Sequence, residues 1–122
     1  MGLHDFFLNH FETSDEPRDR RLVSHYYNND YQTTQNKISV AFQEFGLKLI
    51  HVDNTYNEML FENRKIKLIV TLRQMSLYEI RVDLTINTTY LLPMKRGIKI
   101  VEQLYQSLDR KLTLKYKGAS NE

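Results

Sequence analysis

The 122-residue sequence predicts an α+β fold, in which a four- to five-stranded antiparallel meander sheet carries two helices on one face. Apolar residues recur at helical spacing in two segments, and four runs of alternating apolar and polar residues lie between them. Short polar connections separate these runs, and such connections favour hairpins over crossovers. The connections are Asp53-Asn54-Thr55, Asn63-Arg64 and Gln74-Met75-Ser76. The predicted element order is β-α-β-β-β-β-α, preceded by a short N-terminal helical leader.

The first strand and the first helix have recognisable local signals. Aromatic and β-branched residues concentrate from Val23 to Tyr27 and predict a strand. Thr33 or Thr34 can cap the helix that follows, and Gly46 supplies the left-handed residue that ends it. The apolar stripe of this helix consists of Ile38, Ala41, Phe42 and Phe45.

The register of the four central strands can be predicted from the turns, because partners across a hairpin keep a constant sum of residue numbers. With Asn63-Arg64 as a two-residue turn, Phe61 is expected opposite Ile66, and the next hairpin is expected to pair Val70 with Ile80. This register gives one apolar face, which the helices would cover. Its predicted members are Ile66, Leu68, Val70, Leu72, Tyr78, Ile80, Val82, Leu84 and Ile86.

The opposite face of the sheet is predicted to be half apolar. A contiguous exposed apolar patch usually marks a contact surface. The sequence offers two covers for it: the N-terminal segment that contains Phe6, Phe7, Leu8 and Phe11, or a second copy of the chain. A slip of one residue in the first hairpin would instead turn part of the patch inward. The predicted interaction patch consists of Ile50, Val52, Tyr56, Leu60, Ile69 and Arg81.

The last helix is predicted to begin between Pro93 and Gly97 and to end near Leu112. Its apolar stripe consists of Ile98, Val101, Tyr105, Leu108 and Leu112. Its first turn concentrates basic side chains where the helix dipole is already positive, an arrangement that attracts anions. The predicted anion contact consists of Lys95, Arg96 and Lys99, and a solvated basic surface is the alternative.

Charge is unevenly distributed along the chain. Residues 1–93 carry ten basic and twelve acidic side chains, whereas residues 94–122 carry seven basic and three acidic ones. The predicted organisation is an apolar leader and polar linker at 1–21, one α+β domain at 22–112 and a flexible basic tail at 113–122.

Several kinds of chemistry have no support in the sequence. The chain has no cysteine, which excludes disulfides and thiolate metal sites. The histidines, namely His4, His10, His25 and His51, have no metal-ligand spacing. We find no phosphate-binding glycine loop and no catalytic constellation, so no cofactor, no metal and no enzymatic activity are predicted. The N-terminus has no signal-peptide pattern and no segment approaches the roughly 18 apolar residues of a membrane span, so a cytoplasmic protein is expected.

Three segments carry a resemblance to known proteins: Leu22-Val23-Ser24-His25-Tyr26-Tyr27, Tyr56-Asn57-Glu58-Met59-Leu60, and the stretch from Gly97 to Asp109. Over residues 22–112 the chain resembles small uncharacterised cytosolic proteins of Gram-positive bacteria. This resemblance implies no activity, substrate or site residue. The predicted order of elements is similar to that of TATA-binding-protein-like and helix-grip folds, and a fold alone does not define a function.

The function that the sequence favours is a non-enzymatic interaction module that acts through the outer sheet face, as a homodimer or with a protein partner. One alternative is a small-molecule or lipid carrier with a cavity between the sheet and the last helix, its mouth lined by the apolar loop Tyr90-Leu91-Leu92-Pro93-Met94. The other is a binder of nucleic acid or an anionic surface through the basic C-terminal quarter.

Overall fold

The computed structural model describes residues 9–88 and 93–118 and confirms an α+β fold, with an antiparallel sheet and two helices. A short 3-10 turn spans Arg20–Leu22. The strands are β1 (Asn9–Glu12), β2 (His25–Tyr27), β3 (Lys48–Asp53), β4 (Glu58–Glu62), β5 (Ile66–Ser76), β6 (Glu79–Thr88) and β7 (Leu114–Lys117), and the helices are α1 (Tyr31–Glu44) and α2 (Met94–Lys111). No helix in these two ranges has the length and apolarity needed to cross a bilayer.

The sheet has seven strands within the described ranges, more than the predicted four to five. Its order is β3-β4-β5-β6-β2-β7, and β1 also pairs with β6. β5 pairs along one edge of β6, and β1 and β2 pair with different parts of its other edge. The two additional strands are β1 and β7, which arise from segments that were predicted to be a leader and a flexible tail. The described end of the predicted helical leader is therefore a strand, and residues 1–8 lie outside the described ranges.

Both helices begin and end close to the predicted positions. α1 starts at Tyr31, slightly before the predicted caps, and the Thr34 hydroxyl donates to the Asp30 carbonyl at 2.8 Å. Gly46 follows α1 with a positive φ of 99°, as predicted for a left-handed stop. α2 covers the predicted last helix.

The predicted register of the central hairpins is wrong, although the predicted inward face is largely correct. Phe61 lies opposite Leu68 instead of Ile66, and Val70 lies opposite Leu84. These errors are two and four residues, and even shifts leave each side chain on the same face. The β5–β6 hairpin turns after Ser76, later than predicted, so Tyr78 lies in the turn and is 61% exposed instead of facing inward.

One core holds the molecule together. Both helices and the inward face of the sheet contribute to it, and the inward side chains of β5 and β6 are almost completely buried. Phe42 of α1 meets Phe61 of β4 edge to face, with their ring centroids 5.4 Å apart. At the other end of the core, Phe11 of β1 is buried against Gly97 of α2. The N-terminal strand is therefore part of the core.

Strand β3 contains a bulge that changes which side chains face the helices. Leu49 lies opposite Phe61 and His51 opposite Leu60, so Ile50 is one extra residue. Beyond the bulge Val52 lies opposite Met59 and packs against the core. The predicted outward position of Val52 is therefore wrong, because the turn-based register did not include an extra residue.

Candidate functional site

The outward face of β3, β4 and β5 carries a small apolar surface, which we call the outer strip and define as Ile50, Leu60 and Ile69. Leu60 and Ile69 are paired residues of neighbouring strands, and both are half-buried. Ile50 is 42% exposed. A shallow depression of about 140 Å³ lies over Leu60 and Ile69, with His51 at its side. Three of the predicted patch residues thus lie close together.

Charged side chains border the outer strip with opposite signs at its two ends. Lys48 and Lys67 lie in the row on one side, together with Glu62. Asp53 and Glu58 are paired in the row on the other side. The outer strip is therefore flanked by mainly basic residues at one end and acidic residues at the other.

The other predicted patch residues lie elsewhere. Tyr56 is 71% exposed but belongs to the β3–β4 turn, beyond the strand ends. Arg81 lies four residues before Thr85, the partner of Ile69, which corresponds to about 13 Å along β6. Its guanidinium Nε donates to the Asp83 carboxylate at 2.8 Å. Arg81 therefore belongs to a different part of the outward face.

Asp83 joins β6 to the segment that connects β1 with β2. The Thr13 hydroxyl donates to the Asp83 carboxylate at 2.8 Å, and the Ser24 hydroxyl donates to the same oxygen. The Arg81 guanidinium bonds the other carboxylate oxygen. Asp83 is only 8% exposed, so these contacts form a buried polar network. This end of the outward face is covered by polar chain and contributes nothing to an apolar patch.

A polar cleft of about 220 Å³ opens at the edge of the inward face, between the 3-10 turn, β2, α2 and β7. Its mouth carries charged side chains from three of these elements, and its floor is formed by aromatic rings. Its lining residues are Arg20, Arg21, Val23, His25, Glu102, Tyr105, Gln106, Asp109 and Lys117. We call this feature the cleft.

The floor of the cleft is a hydrogen-bonded and stacked cluster around His25. His25 is 5% exposed, and its ring stacks on Tyr105 with centroids 3.6 Å apart and planes 5° apart. His25 Nδ1 lies 3.0 Å from Asp109 Oδ1, and the Tyr27 hydroxyl donates to that same oxygen at 2.7 Å. The ring of His25 is therefore fixed in orientation by packing and by hydrogen bonds.

The protonation states of the cluster follow from its burial and its contacts. Burial raises the pKa of Asp109, but the hydrogen bonds from His25 and Tyr27 outweigh burial and hold the pKa below its usual range. Burial raises the pKa of the Tyr27 phenol, and the neighbouring Asp109 carboxylate raises it further. Burial likewise raises the pKa of Tyr105. Asp109 is thus a carboxylate at neutral pH, and both phenols keep their protons.

The residues of the predicted anion contact, Lys95, Arg96 and Lys99, lie exposed in the first turns of α2. None of them forms an ion pair within the described part of the chain. Arg110 and Lys111 are near the other end of the same helix, about 24 Å away at 1.5 Å per residue. The structure therefore separates Arg110 and Lys111 from the predicted anion contact.

The remaining candidate residues have ordinary surroundings. His51 is exposed beside the outer strip, and His10 bonds the Asn87 side chain at 2.6 Å. Tyr26 is buried and stacks on Tyr116 with centroids 4.4 Å apart. Among the residues of 9–88 and 93–118, no three His, Asp or Glu side chains are grouped as metal ligands. His4 and the loop from Tyr90 to Leu92 lie outside the described ranges.

The sequence analysis missed the cleft, because His25 and Asp109 are 84 residues apart in the chain. A weaker signal was present. His25 and Tyr27 share one face of a strand, and Tyr105 and Asp109 share one face of a helix, so each element presents a ring and a polar group together. Only the packing of β2 against α2 makes these pairs one site.

Comparison with known proteins gives no family for this chain: no family model matches it, and no curated protein matches it. The function is therefore argued from the geometry of the outer strip and of the cleft.

Proposed function

We propose that this protein is a non-enzymatic interaction module that associates with a second copy of itself through the outer strip. The observation that supports this proposal is the contact of Leu60 with Ile69 on the outward face, beside the exposed Ile50. Apolar side chains grouped on the non-helical face of a sheet gain free energy when a partner surface removes them from water.

The charges around the outer strip favour a second copy as the partner. A two-fold axis that lies in the interface and crosses the strands at right angles reverses the strand direction of the second copy. Each strand then faces the same strand of the partner, so Lys48 lies across from Asp53 at both ends of the interface, whereas Glu62 lies across from Glu58. The Lys48–Asp53 contacts favour this orientation over one that sets the basic rows of the two copies against each other.

Pairing between strand edges is less favourable than pairing between faces. β3 is one edge of the sheet, and it carries Lys48 and the bulge at Ile50. Lysine residues and bulges on edge strands are features that oppose edge-to-edge pairing. β7, at the other edge, has only four residues. We therefore favour face-to-face packing over a continuous sheet.

The size of the outer strip sets the expected strength of the dimer. Three apolar side chains and a charged border form a small interface, and small interfaces are usually transient. We expect a reversible dimer whose population rises with protein concentration. Light scattering coupled to size-exclusion chromatography, at several loading concentrations, measures this directly.

Ile69→Lys is expected to weaken the dimer at least about tenfold, because it places an unpaired cation in the centre of the apolar contact. The matched control is Val40→Lys, which changes another exposed apolar residue, on α1, at 48% exposure. Val40→Lys should leave the average mass unchanged. A wild-type chain that stays monomeric at every concentration, or equal effects of both variants, would contradict the proposal.

Charge reversal tests the orientation of the dimer. Lys48→Glu and Asp53→Lys should each weaken association, since each places like charges across the two-fold axis. The double variant restores opposite charges and should recover most of the lost dimer population. If the two effects simply add, Lys48 and Asp53 do not face each other in the dimer.

The carrier alternative requires open space beneath α2. In the structure the side chains Val101, Leu104 and Leu108 of α2 are fully buried against the sheet. A small ligand therefore has more room in the cleft than beneath α2.

A further inference from the structure

The cleft has room for a group of the size of a phosphate. Its volume of about 220 Å³ is below the roughly 300–1,000 Å³ of pockets that enclose drug-sized ligands. It lies on the inward side of the sheet, whereas the outer strip lies on the outward side. Occupation of the cleft and self-association of the chain can therefore be tested independently.

His25 presents one unpaired nitrogen at the floor of the cleft. Its Nδ1 is engaged with the Asp109 carboxylate at 3.0 Å. Its Nε2 has no hydrogen-bond partner among the residues that the structure describes, although the side chain is only 7% exposed. Buried polar atoms are normally hydrogen-bonded, and an unpaired one in a cleft has room for a ligand atom.

Cationic side chains from two other elements line the same cleft. Lys117 of β7 lies directly opposite His25 in the β2–β7 pair, so both side chains are on the same face. Arg20 of the 3-10 turn is exposed at the mouth and forms no ion pair within the described ranges. Arg21 also lines the cleft, but its guanidinium bonds Asp19 at 2.7 Å. Lys117 and Arg20 therefore have no ion pair within the described ranges, and Lys117 is close enough to Asp109 to help lower the pKa of that carboxyl.

Two carboxylates also line the cleft, and neither removes its capacity for an anion. Asp109 already accepts hydrogen bonds from His25 and Tyr27, so its charge is partly compensated. Glu102 of α2 is attracted to the neighbouring Arg21. With His25 neutral, the lining carries three cationic and two anionic side chains. The lining thus has more cationic than anionic side chains.

We propose that the cleft is a binding site for a small phosphate-bearing ligand, whose phosphate oxygens contact Lys117, Arg20 and His25 Nε2. The three side chains come from three elements that line the cleft, namely β7, the 3-10 turn and β2. A phosphate group has three oxygens in a tetrahedral arrangement and can contact all three side chains. It also carries about −1.5 to −2 charges near neutral pH, against one for a carboxylate, so it gains more from the two cations.

The contact with Asp109 orients His25 for this role. Its Nδ1 donates to the Asp109 carboxylate at 3.0 Å, which leaves Nε2 for the ligand. The other charged groups that face this ring are Arg20, Arg21, Glu102 and Lys117, and its neighbouring phenols are Tyr27 and Tyr105.

The test is a titration of the full chain with inorganic phosphate, followed by NMR of the histidine rings and by calorimetry at constant ionic strength. The His25 resonances should shift as phosphate is added, whereas those of His51, on the other face, should not move. Lys117→Gln and Arg20→Gln should each weaken phosphate binding about tenfold, the scale of one charge-assisted hydrogen bond.

Matched controls exist for both cations. Lys115 is on the same strand as Lys117 but bonds Glu79 at 2.7 Å and does not line the cleft. Arg18 is exposed near Arg20 and likewise does not line it. Lys115→Gln and Arg18→Gln should leave the affinity within about twofold.

The outcomes separate clearly. Saturable phosphate binding that is lost in the two cleft variants and kept in the two controls supports the proposal. Failure of phosphate to move the His25 resonances, equal effects of acetate and phosphate, or equal losses in cleft and control variants would overturn it. Repeating the titration with the Ile69→Lys variant distinguishes this result from any failure of the dimer proposal.

Discussion

Asp83→Ala is expected to lower the free energy of unfolding by about 3–5 kcal/mol, the cost of removing one partner from a buried charged pair. The variant would leave the Arg81 guanidinium, whose side chain is 16% exposed, without its carboxylate. The hydroxyls of Thr13 and Ser24 would lose their acceptor as well. Urea denaturation followed by circular dichroism measures the change.

Two further variants identify the cause of this loss. Asp83→Asn keeps an acceptor for the hydroxyls but removes the charge. We therefore expect its free energy of unfolding to lie between those of wild type and Asp83→Ala. Glu44→Ala removes an exposed acid whose partner is Lys111, and it should change stability by less than about 0.5 kcal/mol. A loss below about 1 kcal/mol for Asp83→Ala would contradict this prediction, since it would mean that water satisfies the former hydrogen-bond donors to Asp83.

The Asp83 network explains why the segment between β1 and β2 is ordered although its composition is typical of a linker. Its polar residues find partners within the protein: Thr13 accepts from the Leu84 amide at 2.9 Å, and Ser14 forms a bridge with Val23. Composition shows which residues are polar, but it does not show whether the fold provides hydrogen-bond partners for them. The linker interpretation therefore could not predict the contacts of this segment with β6.

The parts of the fold that the sequence predicted well depend on local periodicity. The stripe of α2, the stripe of α1 and the alternation in β5 and β6 are repeated signals, and an even register error leaves the strand faces unchanged. The exception in α1 is Phe45, which follows the helix and is 38% exposed. The bulge at Ile50 is a single extra residue, so it reversed the side of Val52. β1 and β7 pair with strands far away in the chain, and short strands of four residues carry little periodicity of their own.

The two candidate sites also differ in how far the sequence could predict them. The outer strip was partly predictable, because Leu60 and Ile69 occupy outward positions in any register that differs by an even number. The cleft was not, because its four elements come from two distant parts of the chain. His25 and Asp109 have no spacing that sequence inspection can test, and their contact exists only after β2 packs against α2.

Gly97→Val is expected to destabilise the fold by about 1–3 kcal/mol, the usual cost of overfilling a packed core. A Cβ atom at this position would overlap the ring of Phe11, which is itself 5% exposed and cannot leave without opening the core. Glycine is therefore needed here for close approach of β1 to α2, and not only to begin the helix. Thermal and urea denaturation measure the loss.

A double-variant cycle with Phe11→Ala tests the contact itself. Phe11→Ala alone should cost about 3–5 kcal/mol, as for other buried phenylalanines, and Gly97→Val should cost less in its background because the space is then free. Gly46→Ala is the control: it places a side chain in open space at a φ of 99°, so its cost of about 1 kcal/mol is backbone strain that Phe11→Ala cannot relieve. If Gly97→Val costs the same in both backgrounds, β1 does not dock on α2 through this pair, and the N-terminal strand is held by its pairing with β6 alone.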